Sequence, residues 1–223
     1  MLMTRVWPRL WRWGAVNAAF IAAFVLIAGR TDLPWMWVYL LVWAGILTYA
    51  FFVLDPDLRR ERFRPGGPSA DPVALAFMRL AALATMMVAL LDVGRFHWSD
   101  DVPRTLHIAG LILFAVGAWL PMRSMSANRF FSPNIRVQRE RGHRVVDRGP
   151  YAVIRHPGYA GMTVLAIGGA LLLGSFAALV PAMIFAGLVL RRVLFEDAFL
   201  KANLEGYREY SERVPFRLVP GIW

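Results

Sequence analysis

Six apolar segments separated by charged stretches dominate the sequence. An α-helix needs about 20 apolar residues to cross the hydrocarbon core of a bilayer, and the second and third segments have about that length. The first and fourth are shorter, but aromatic or charged residues suited to a membrane interface flank them. The pattern predicts an all-α integral membrane protein. The six segments cover residues 13–29, 34–54, 73–91, 106–122, 158–173 and 176–190.

The last two apolar segments are joined only by Gly174 and Ser175, which predicts a tight antiparallel helical hairpin. Each half of the hairpin is short for a full crossing of the bilayer. Hydrophobic residues make up 58% of the chain, more than the roughly 45 to 50% of soluble domains. We therefore expect about six transmembrane helices, the last two forming the hairpin.

The formal net charge is +10, and the arginines are concentrated in alternate loops. Because positive residues accumulate on the cytoplasmic side, this distribution predicts cytoplasmic termini and a cytoplasmic connection between the fourth and fifth segments. The opposite side carries only Arg30, Arg95 and Arg104. The predicted cytoplasmic groups before the last hairpin are Arg5, Arg9 and Arg12; Arg59, Arg60, Arg62 and Arg64; and Arg123, Arg129, Arg136, Arg139, Arg141, Arg144, Arg148 and Arg155.

The choice of residue types narrows the chemistry. The chain has no cysteine, which excludes disulfides, thiolate metal sites and cysteine nucleophiles, and we expect no metal site. Membrane topology accounts for the basic residues, so we expect no nucleic-acid partner. Lys201 is the only lysine, and this bias toward arginine is typical of a GC-rich bacterial genome. We expect a bacterial inner-membrane protein.

The sequence divides into residues 1–121, with the first four predicted spans, and residues 122–223, with a long polar connection followed by the hairpin. In the connection, Pro157 disfavours helical geometry at His156 and suits a first helical position, so His156 is a candidate helix N-cap. Such a helix start offers free N–H groups to a carboxylate or phosphate, and Arg155 would add a bidentate partner. Gly158 and Gly161 would let a ligand or another helix approach the backbone. The alternative is an ordinary interfacial helix start.

A second polar cluster follows the hairpin. Arg192 and Glu196 are four residues apart and share a face of a helix. They form either a surface ion pair or, because ionisable groups at a membrane boundary are costly, a functional pair. By contrast, we expect Arg79 to reach the interface without a chemical role, residues 55–72 to form a solvated loop, and the proline-containing tail to close over the structure.

Over roughly the last hundred residues, these motifs resemble the isoprenylcysteine carboxyl methyltransferase family and its bacterial relatives. The resemblance departs from the eukaryotic pattern in a shorter segment between Gln138 and His143, and in Asp197 where a second glutamate is frequent. The motifs that carry it are Asn128-Arg-Phe-Phe-Ser132, Val137-Gln138, His143-Arg-Val-Val146, Gly149-Pro-Tyr151, Arg155-His-Pro-Gly-Tyr159, Arg192, Glu196, Tyr207, Tyr210 and Val214-Pro215.

The resemblance implies a membrane-embedded methyltransferase that binds S-adenosyl-L-methionine between the hairpin and the cytoplasmic segments. Arg192 would contact the methyl acceptor, and Arg192 and Glu196 would be the catalytic pair. Together with Arg155 from the helix start, the residues expected around the cofactor are Gln138, His143, Arg144, Val145, Val146, Tyr151, His156, Pro157, Gly158, Tyr159 and Glu196.

Three questions stay open at this stage. The acceptor would be a lipid or amphiphile entering from the membrane, but a carboxylate, a thiol and a lipid amine are all compatible with the resemblance. Sterol reductases, which use a nicotinamide cofactor, share an Arg-His-Pro-x-Tyr motif and a similar tail, so reduction is one alternative. A non-catalytic membrane scaffold is the other. The sequence does not indicate an oligomeric state.

Overall fold

The computed structural model describes residues 3–223, with side chains from residue 10 onward. Within this range the regular structure is helical, and the predicted all-α fold is confirmed. Residues 1–2 lie outside the described residues. So do the side chains of Arg5 and Arg9, two of the arginines on which the predicted orientation depends. The α-helices are α1 (Met3–Ala28), α2 (Pro34–Thr48), α3 (Pro56–Phe63), α4 (Pro72–Leu91), α5 (Arg104–Ala127), α6 (Pro157–Leu173), α7 (Leu179–Asn203) and α8 (Tyr207–Arg213).

Four helical stretches in the described chain are long and apolar enough to cross a membrane: Leu10–Ala28, Pro34–Val53, Pro72–Phe96 and Arg104–Ala127. The second and third of these end in a π-helical turn that continues α2 and α4. α6 is apolar but has only 17 residues, and α7 has 25 residues but carries charged side chains in its second half. Six crossings therefore remain a prediction.

Two helices extend beyond their apolar segments. α5 continues through Pro121 to Ala127, and α7 continues to Asn203. In the last turns of α5, Ser124 Oγ donates to the carbonyl of Leu120 at 2.7 Å, and Ser126 Oγ donates to that of Met122 at 3.0 Å. These serines satisfy their hydroxyls on the helix's own carbonyls, and the helix runs through them to Ala127. The boundary at residue 121/122 consequently falls inside α5.

Glycines bring α5 and α6 into backbone contact. A Cβ atom at Gly110 or Gly117 of α5 would overlap the backbone of α6 at Leu172 or Leu165. In α6, a Cβ atom at Gly161 would overlap the Pro121 ring. Small residues at such positions are a common way for membrane helices to pack closely, because lipid provides no hydrophobic force between them. Gly161 therefore receives a helix, one of the two alternatives left by the sequence.

A buried hydrogen-bonded cluster of Asp92, Ser99 and Ser175 holds one end of the bundle together. Asp92, fully buried at the end of α4, accepts hydrogen bonds from Ser99 Oγ at 2.6 Å and from Ser175 Oγ at 2.5 Å. Because Ser175 lies in the turn between α6 and α7, its hydrogen bond to Asp92 connects that turn to the end of α4. The opposite end, where α6 begins and α7 ends, is called the site end below.

At the site end, α3 docks against the polar connection of residues 128–156. Glu61 is 5% exposed, accepts bonds from Arg136 with a closest distance of 2.9 Å, and accepts one from Ser132 Oγ at 2.8 Å. The backbone N–H of Ala70 donates to the carbonyl of Ile135 at 2.8 Å. The expectation of a solvated loop at residues 55–72 is therefore wrong: its charges pair across the fold and form part of the packed structure.

The C-terminal tail covers the start of α6. The backbone N–H groups of Arg155 and His156 donate to the carbonyls of Phe216 and Arg217, both at 2.9 Å. The tail is extended just after Pro215, which leaves the carbonyls of Phe216 and Arg217 available for these bonds, and residues 219–223 then form a turn. The tail thereby fixes the residues that precede α6.

Candidate active site

A cavity of about 570 Å³ extends from the site end into the interior of the bundle. Its wall includes Leu75 near the start of α4 and Ala89 near its end, which at 1.5 Å per residue are about 21 Å apart along the helix axis. Polar side chains of residues 128–146, α6 and α7 line one part, and Tyr39, Trp43 and Leu173 line the apolar remainder. The shape suits a ligand, or two ligands, with both a polar and an apolar portion.

The helix start predicted at His156 is present. His156 occupies the N-cap of α6 with φ −125°, Pro157 follows at the first helical position, and the His156 side chain does not cap the helix. Gly158 is in contact with the ring of Phe131, so a Cβ at this position would overlap that ring. The lack of a side chain at Gly158 therefore leaves room for the Phe131 ring, which belongs to the polar connection. His156, Gly158 and Tyr159 line the cavity, whereas Pro157 lies behind its wall.

Asp197, on α7, is the centre of a buried ionic cluster. It is 2% exposed and receives two hydrogen bonds from Arg155, from Nε at 2.7 Å and from Nη2 at 2.9 Å. Tyr207 donates its hydroxyl at 3.1 Å, and Arg217 of the tail donates at 3.2 Å. The His156 ring approaches the same carboxylate at 3.4 Å. Asp197 thus joins α7, α8, the tail and the start of α6.

This cluster differs from the arrangement expected for Arg155. Besides the two bonds to Asp197, the remaining nitrogen Nη1 donates to the carbonyls of Val214 at 2.7 Å and Pro215 at 2.8 Å. All three nitrogens of the guanidinium therefore have protein partners. Arg155 borders the cavity, but Nε and Nη2 of its guanidinium bind Asp197 and are not available to a ligand carboxylate.

Tyr159, Arg192 and Glu196 form a second cluster, and it faces the cavity. The hydroxyl of Tyr159 donates to Glu196 Oε2 at 2.7 Å and accepts from Arg192 Nε at 2.8 Å. Arg192 and Glu196 therefore share one phenol between them and do not form the direct ion pair that their spacing also allowed. Glu196 Oε1 has no hydrogen-bond partner among the described residues.

Arg192 is a buried cation, and no carboxylate of the described residues forms an ion pair with it. It is 1% exposed, and its other two nitrogens donate to backbone carbonyls, Nη1 to Asp71 at 2.9 Å and Nη2 to Pro133 at 2.6 Å. Burial of an unneutralised charge is costly, and neutral carbonyls orient the guanidinium without cancelling its charge. The nearby Asp71 carboxylate binds Arg191 instead, at 2.8 Å. The positive charge of Arg192 is thus held at the cavity wall.

The connection folds on Gln138 and His143. Gln138 is 1% exposed; its Nε2 donates to the carbonyl of Phe130 at 2.7 Å, and its Oε1 accepts from Arg141. The backbone N–H of Gln138 donates to Nδ1 of His143 at 3.2 Å. Burial, with the charges of Arg136 and Arg141, lowers the pKa of His143 to about 4. His143 is therefore neutral near pH 7, with its proton on Nε2.

The other predicted residues of the connection lie around the same part of the cavity. Arg144, Val145, Val146 and Tyr151 all line it. Burial raises the pKa of Tyr151, whose backbone carbonyl accepts a hydrogen bond from Tyr210 at 2.8 Å. Twelve of the thirteen predicted site residues therefore border a single cavity, and Pro157 begins the helix that supplies two of them.

Several cavity residues were missed at the sequence level. Arg62 and Arg79 line the wall, although their segments were assigned no chemistry. Tyr39 and Trp43 belong to α2, which carried no motif. Asp197, which lies outside the cavity lining, was also missed as a structural centre, and its signal was an acidic residue at a membrane boundary. The others could be recognised only once the helices were packed.

Comparisons with known proteins identify relatives for the C-terminal half. The family model described as Phospholipid methyltransferase matches residues 105–205. Protein-S-isoprenylcysteine O-methyltransferase B of Arabidopsis thaliana is 30% identical over 120 residues, covering 53% of this chain and 58% of that protein. Protein-S-isoprenylcysteine O-methyltransferase of Schizosaccharomyces pombe is 30% identical over 110 residues, covering 48% of this chain and 47% of that protein. The matches span about half the length of these relatives.

The fold comparison covers more of the molecule. A solved structure of the eukaryotic intramembrane Ras methyltransferase, an isoprenylcysteine carboxyl methyltransferase, superposes with a TM-score of 0.57 at 19% identity, covering 93% of this chain and 76% of that one. At that identity the likeness shows a shared fold. Together with the sequence matches, it confirms the predicted resemblance: residues 105–205 match the phospholipid methyltransferase model, and the chain is similar to the isoprenylcysteine carboxyl methyltransferases.

Proposed function

We propose that this protein is an S-adenosyl-L-methionine-dependent methyltransferase that modifies a lipophilic or amphiphilic acceptor. The observation that carries the proposal is the single cavity that joins the Tyr159–Arg192–Glu196 cluster to the apolar interior around Tyr39 and Trp43. A polar cofactor and an apolar acceptor tail can both be accommodated there. The named activity of the curated relatives supports the same chemistry.

The residues around the polar part fit the proposed cofactor. S-adenosyl-L-methionine would supply an electrophilic methyl group on a sulfonium, together with an ammonium and a carboxylate. Glu196 offers a carboxylate oxygen that has no partner in the described part of the chain, a suitable contact for a cationic or hydroxyl group. His143 Nε2 and the backbone N–H of Gly158 offer donors, whereas the other N–H groups at the start of α6 already donate to tail carbonyls or to His156. A cavity of about 570 Å³ lies within the roughly 300–1,000 Å³ of small-molecule sites.

The chain's own residues mainly position reactants and exclude water. Methyl transfer is an in-line displacement, so alignment contributes most of what the protein must supply. Tyr159 fixes both Arg192 and Glu196 through one hydroxyl, and the carbonyls of Asp71 and Pro133 lock the Arg192 fork. We assign Arg192 to the acceptor and Glu196 to the cofactor. An ionised acceptor requires no strong base.

We further propose a division of roles along the chain. Residues 122–223 would hold the cofactor, and helices within residues 1–121 would complete the apolar part of the cavity. The excess of arginine at the site end supports an orientation with that end in the cytoplasm, in a bacterial inner membrane. Cysteine substitutions at Arg60 and Arg104, labelled with a membrane-impermeant maleimide on intact and on permeabilised cells, test the orientation. Labelling of Arg60→Cys before permeabilisation would contradict it.

The direct test of function is product identification. The purified protein would be incubated with S-adenosyl-L-methionine carrying a labelled methyl group and with a membrane lipid extract or an S-isoprenylated cysteine, and the labelled product would be identified by mass spectrometry. We expect one labelled amphiphile, and cofactor affinity that falls in Glu196→Ala and in His156→Ala. Unchanged affinity in both variants would overturn the assignment of the pocket. Binding of a nicotinamide cofactor in place of S-adenosyl-L-methionine would favour the reductase.

A further inference from the structure

Arg62 reaches the cavity from α3. Its guanidinium carbon lies 5.3 Å from the centroid of the Phe131 ring, a cation–π arrangement. The same ring is in contact with Gly158 at the start of α6, one residue before Tyr159. Arg62 is partly buried and lines the cavity. It is therefore held beside the cluster assigned to methyl transfer, at the end of the molecule where α6 begins.

Arg79 reaches the same cavity from α4. It falls on the cavity side of that helix at helical spacing with Leu75, Ala82 and Met86, all of which line the wall. Arg79 lies about two turns inside a helix that is long and apolar enough to cross a membrane. Ionisable residues at such depth face protein or water and are functional more often than elsewhere. Arg79 therefore borders the cavity, a position that the sequence analysis did not predict.

Neither arginine has a hydrogen bond or ion pair to another described side chain. The acidic neighbour of Arg62, Glu61, is occupied by Arg136. Burial, together with the charge of Arg79, lowers the pKa of Arg62, whereas the Tyr159 phenol acts in the opposite direction. Arg62 and Arg79 thus border the same cavity as two like charges. Arg62 is half-buried and Arg79 is exposed on the cavity wall, and an anion bound there would be attracted by both charges.

The charges of the cavity do not balance without such an anion. The described residues that line it include six arginines and a single carboxylate, that of Glu196. Arg136 and Arg155 are paired with Glu61 and Asp197, which lie outside the lining. The proposed cofactor adds a net positive charge, because its sulfonium and ammonium outnumber its carboxylate. An acceptor with one anionic atom at Arg192 would leave Arg62, Arg79 and Arg144 uncompensated, and of these Arg144 lies among the residues expected around the cofactor.

We propose that Arg62 and Arg79 form an anion subsite for the acceptor's headgroup, binding a phosphate or carboxylate that is distinct from the atom receiving the methyl group. This inference rests on the proposed function, since it assigns the cavity to an acceptor. Both arginines lie outside residues 105–205, the part matched by the family model. The subsite is a specificity element contributed by α3 and α4, separate from the shared methyltransferase region.

The test measures binding and does not depend on turnover. A fluorescent single-chain alkyl phosphate, the alcohol of the same chain and inorganic phosphate would be titrated into the purified protein in lipid nanodiscs. We expect the wild type to bind the alkyl phosphate at least tenfold more tightly than the alcohol, because the guanidinium groups form charge-assisted hydrogen bonds with the phosphate. Arg62→Gln and Arg79→Gln should each reduce that preference several-fold, and the double variant should abolish it.

Three controls separate the possible causes. Arg60→Gln removes the same charge from the same helix outside the cavity and should keep the preference. Affinity for the alcohol should be unchanged in every variant, and Arg62→Lys, which keeps the charge, should retain most of the preference. Inorganic phosphate alone should bind weakly, which distinguishes a headgroup from a free ion. A double variant that still prefers the phosphate amphiphile would overturn the subsite.

The subsite and the proposed function can fail separately. If the double variant loses the preference while binding of S-adenosyl-L-methionine stays at the wild-type level, both stand. If the wild type shows the arginine-dependent preference but does not bind S-adenosyl-L-methionine, the subsite stands and methyl transfer is overturned. If methyl transfer proceeds and the phosphate gains nothing over the alcohol, the subsite is overturned.

Discussion

Glu196 and Asp197 are adjacent acidic residues on α7 whose surroundings differ completely. Successive residues of an α-helix point about 100° apart, so the two carboxylates face different parts of the structure. Asp197 is enclosed by Arg155, His156, Tyr207 and Arg217. Glu196 faces the cavity and has one described partner, Tyr159. A shift of one residue separates a carboxylate that holds the fold together from one that is available to a ligand.

The same contrast divides the buried arginines. Arg155 is neutralised by Asp197 and saturated by tail carbonyls, whereas Arg192 is oriented by carbonyls and a phenol but keeps its charge. The neutralised cluster around Arg155 and Asp197 fixes the geometry of the fold. The open cluster around Arg192 keeps an unbalanced positive charge that a ligand can neutralise. If this distinction is right, substitutions in the two clusters should affect different properties of the protein.

The largest effect is expected for Asp197→Asn. Removing the carboxylate leaves the buried guanidinium of Arg155 unpaired, and breaking a buried pair in this way costs about 3–5 kcal/mol. We expect a large drop in the thermal unfolding temperature of the purified protein, with loss of cofactor binding as a consequence. Lys201→Gln removes only the partly exposed contact to Asp197 at 3.4 Å and should be nearly neutral. A stable Asp197→Asn protein would contradict the structural role.

Glu196→Gln should show the opposite pattern. The phenol of Tyr159 can still bond to the amide, so the unfolding temperature should stay close to the wild-type value. Loss of a charge-assisted contact to the cofactor is worth about 1.5–3 kcal/mol, or roughly 10- to 150-fold in methyl transfer at low cofactor concentration. The measurement is the rate of transfer from labelled S-adenosyl-L-methionine beside a melting curve. Equal activity in variant and wild type would place Glu196 outside the reaction.

A smaller effect is expected for Arg192→Lys. Lysine keeps the charge but cannot donate simultaneously, in a planar fork, to Tyr159, Asp71 and Pro133. Loss of one such bond is worth about 1.4 kcal/mol, a tenfold reduction in kcat/KM for the acceptor, with cofactor affinity little changed. Steady-state kinetics with varied acceptor give the answer. Arg191→Lys, on the solvent-facing neighbour, is the matched control.

The smallest effect concerns pH. The pKa of His143 is lowered to about 4 by burial and by nearby arginines, while an unfolded histidine titrates near 6.5. Between these values the unfolded chain binds more protons, so the stabilisation from neutral His143 is complete above about pH 6.5 and declines as the pH falls toward 4. The wild type should therefore lose more thermal stability across this window than His143→Asn. Identical pH profiles would exclude a buried neutral histidine.

Much of the fold followed from local properties of the sequence. Span length and loop composition identified the helices, and the proline after His156 placed the start of α6. Pattern could not reveal that Ser124 and Ser126 would continue α5, because their hydroxyls are satisfied by its own carbonyls. Nor could it show that Gly161 receives the ring of Pro121, since that contact joins two helices distant in sequence.

The candidate site was predicted only where residues belong to compact motifs. The predicted residues from Gln138 to Glu196 gather around one cavity, apart from Pro157 in its supporting helix. Their assigned chemistry stays a prediction. Arg62 and Arg79 lacked a motif because their role depends on how α3 and α4 pack against the connection. Asp197 was noted only as a departure from a glutamate, and its many partners lie up to 42 residues away.

The open cluster of Tyr159, Arg192 and Glu196 is proposed above all as part of a methyl-donor site. The most direct measurement is calorimetric titration of S-adenosyl-L-methionine, and of NADPH, into wild type, Glu196→Gln and the exposed control Glu205→Gln in nanodiscs. We predict one S-adenosyl-L-methionine site per chain, with affinity at least tenfold weaker in Glu196→Gln, unchanged in Glu205→Gln, and no NADPH binding. Absence of S-adenosyl-L-methionine binding, or binding indifferent to Glu196, would contradict the claim.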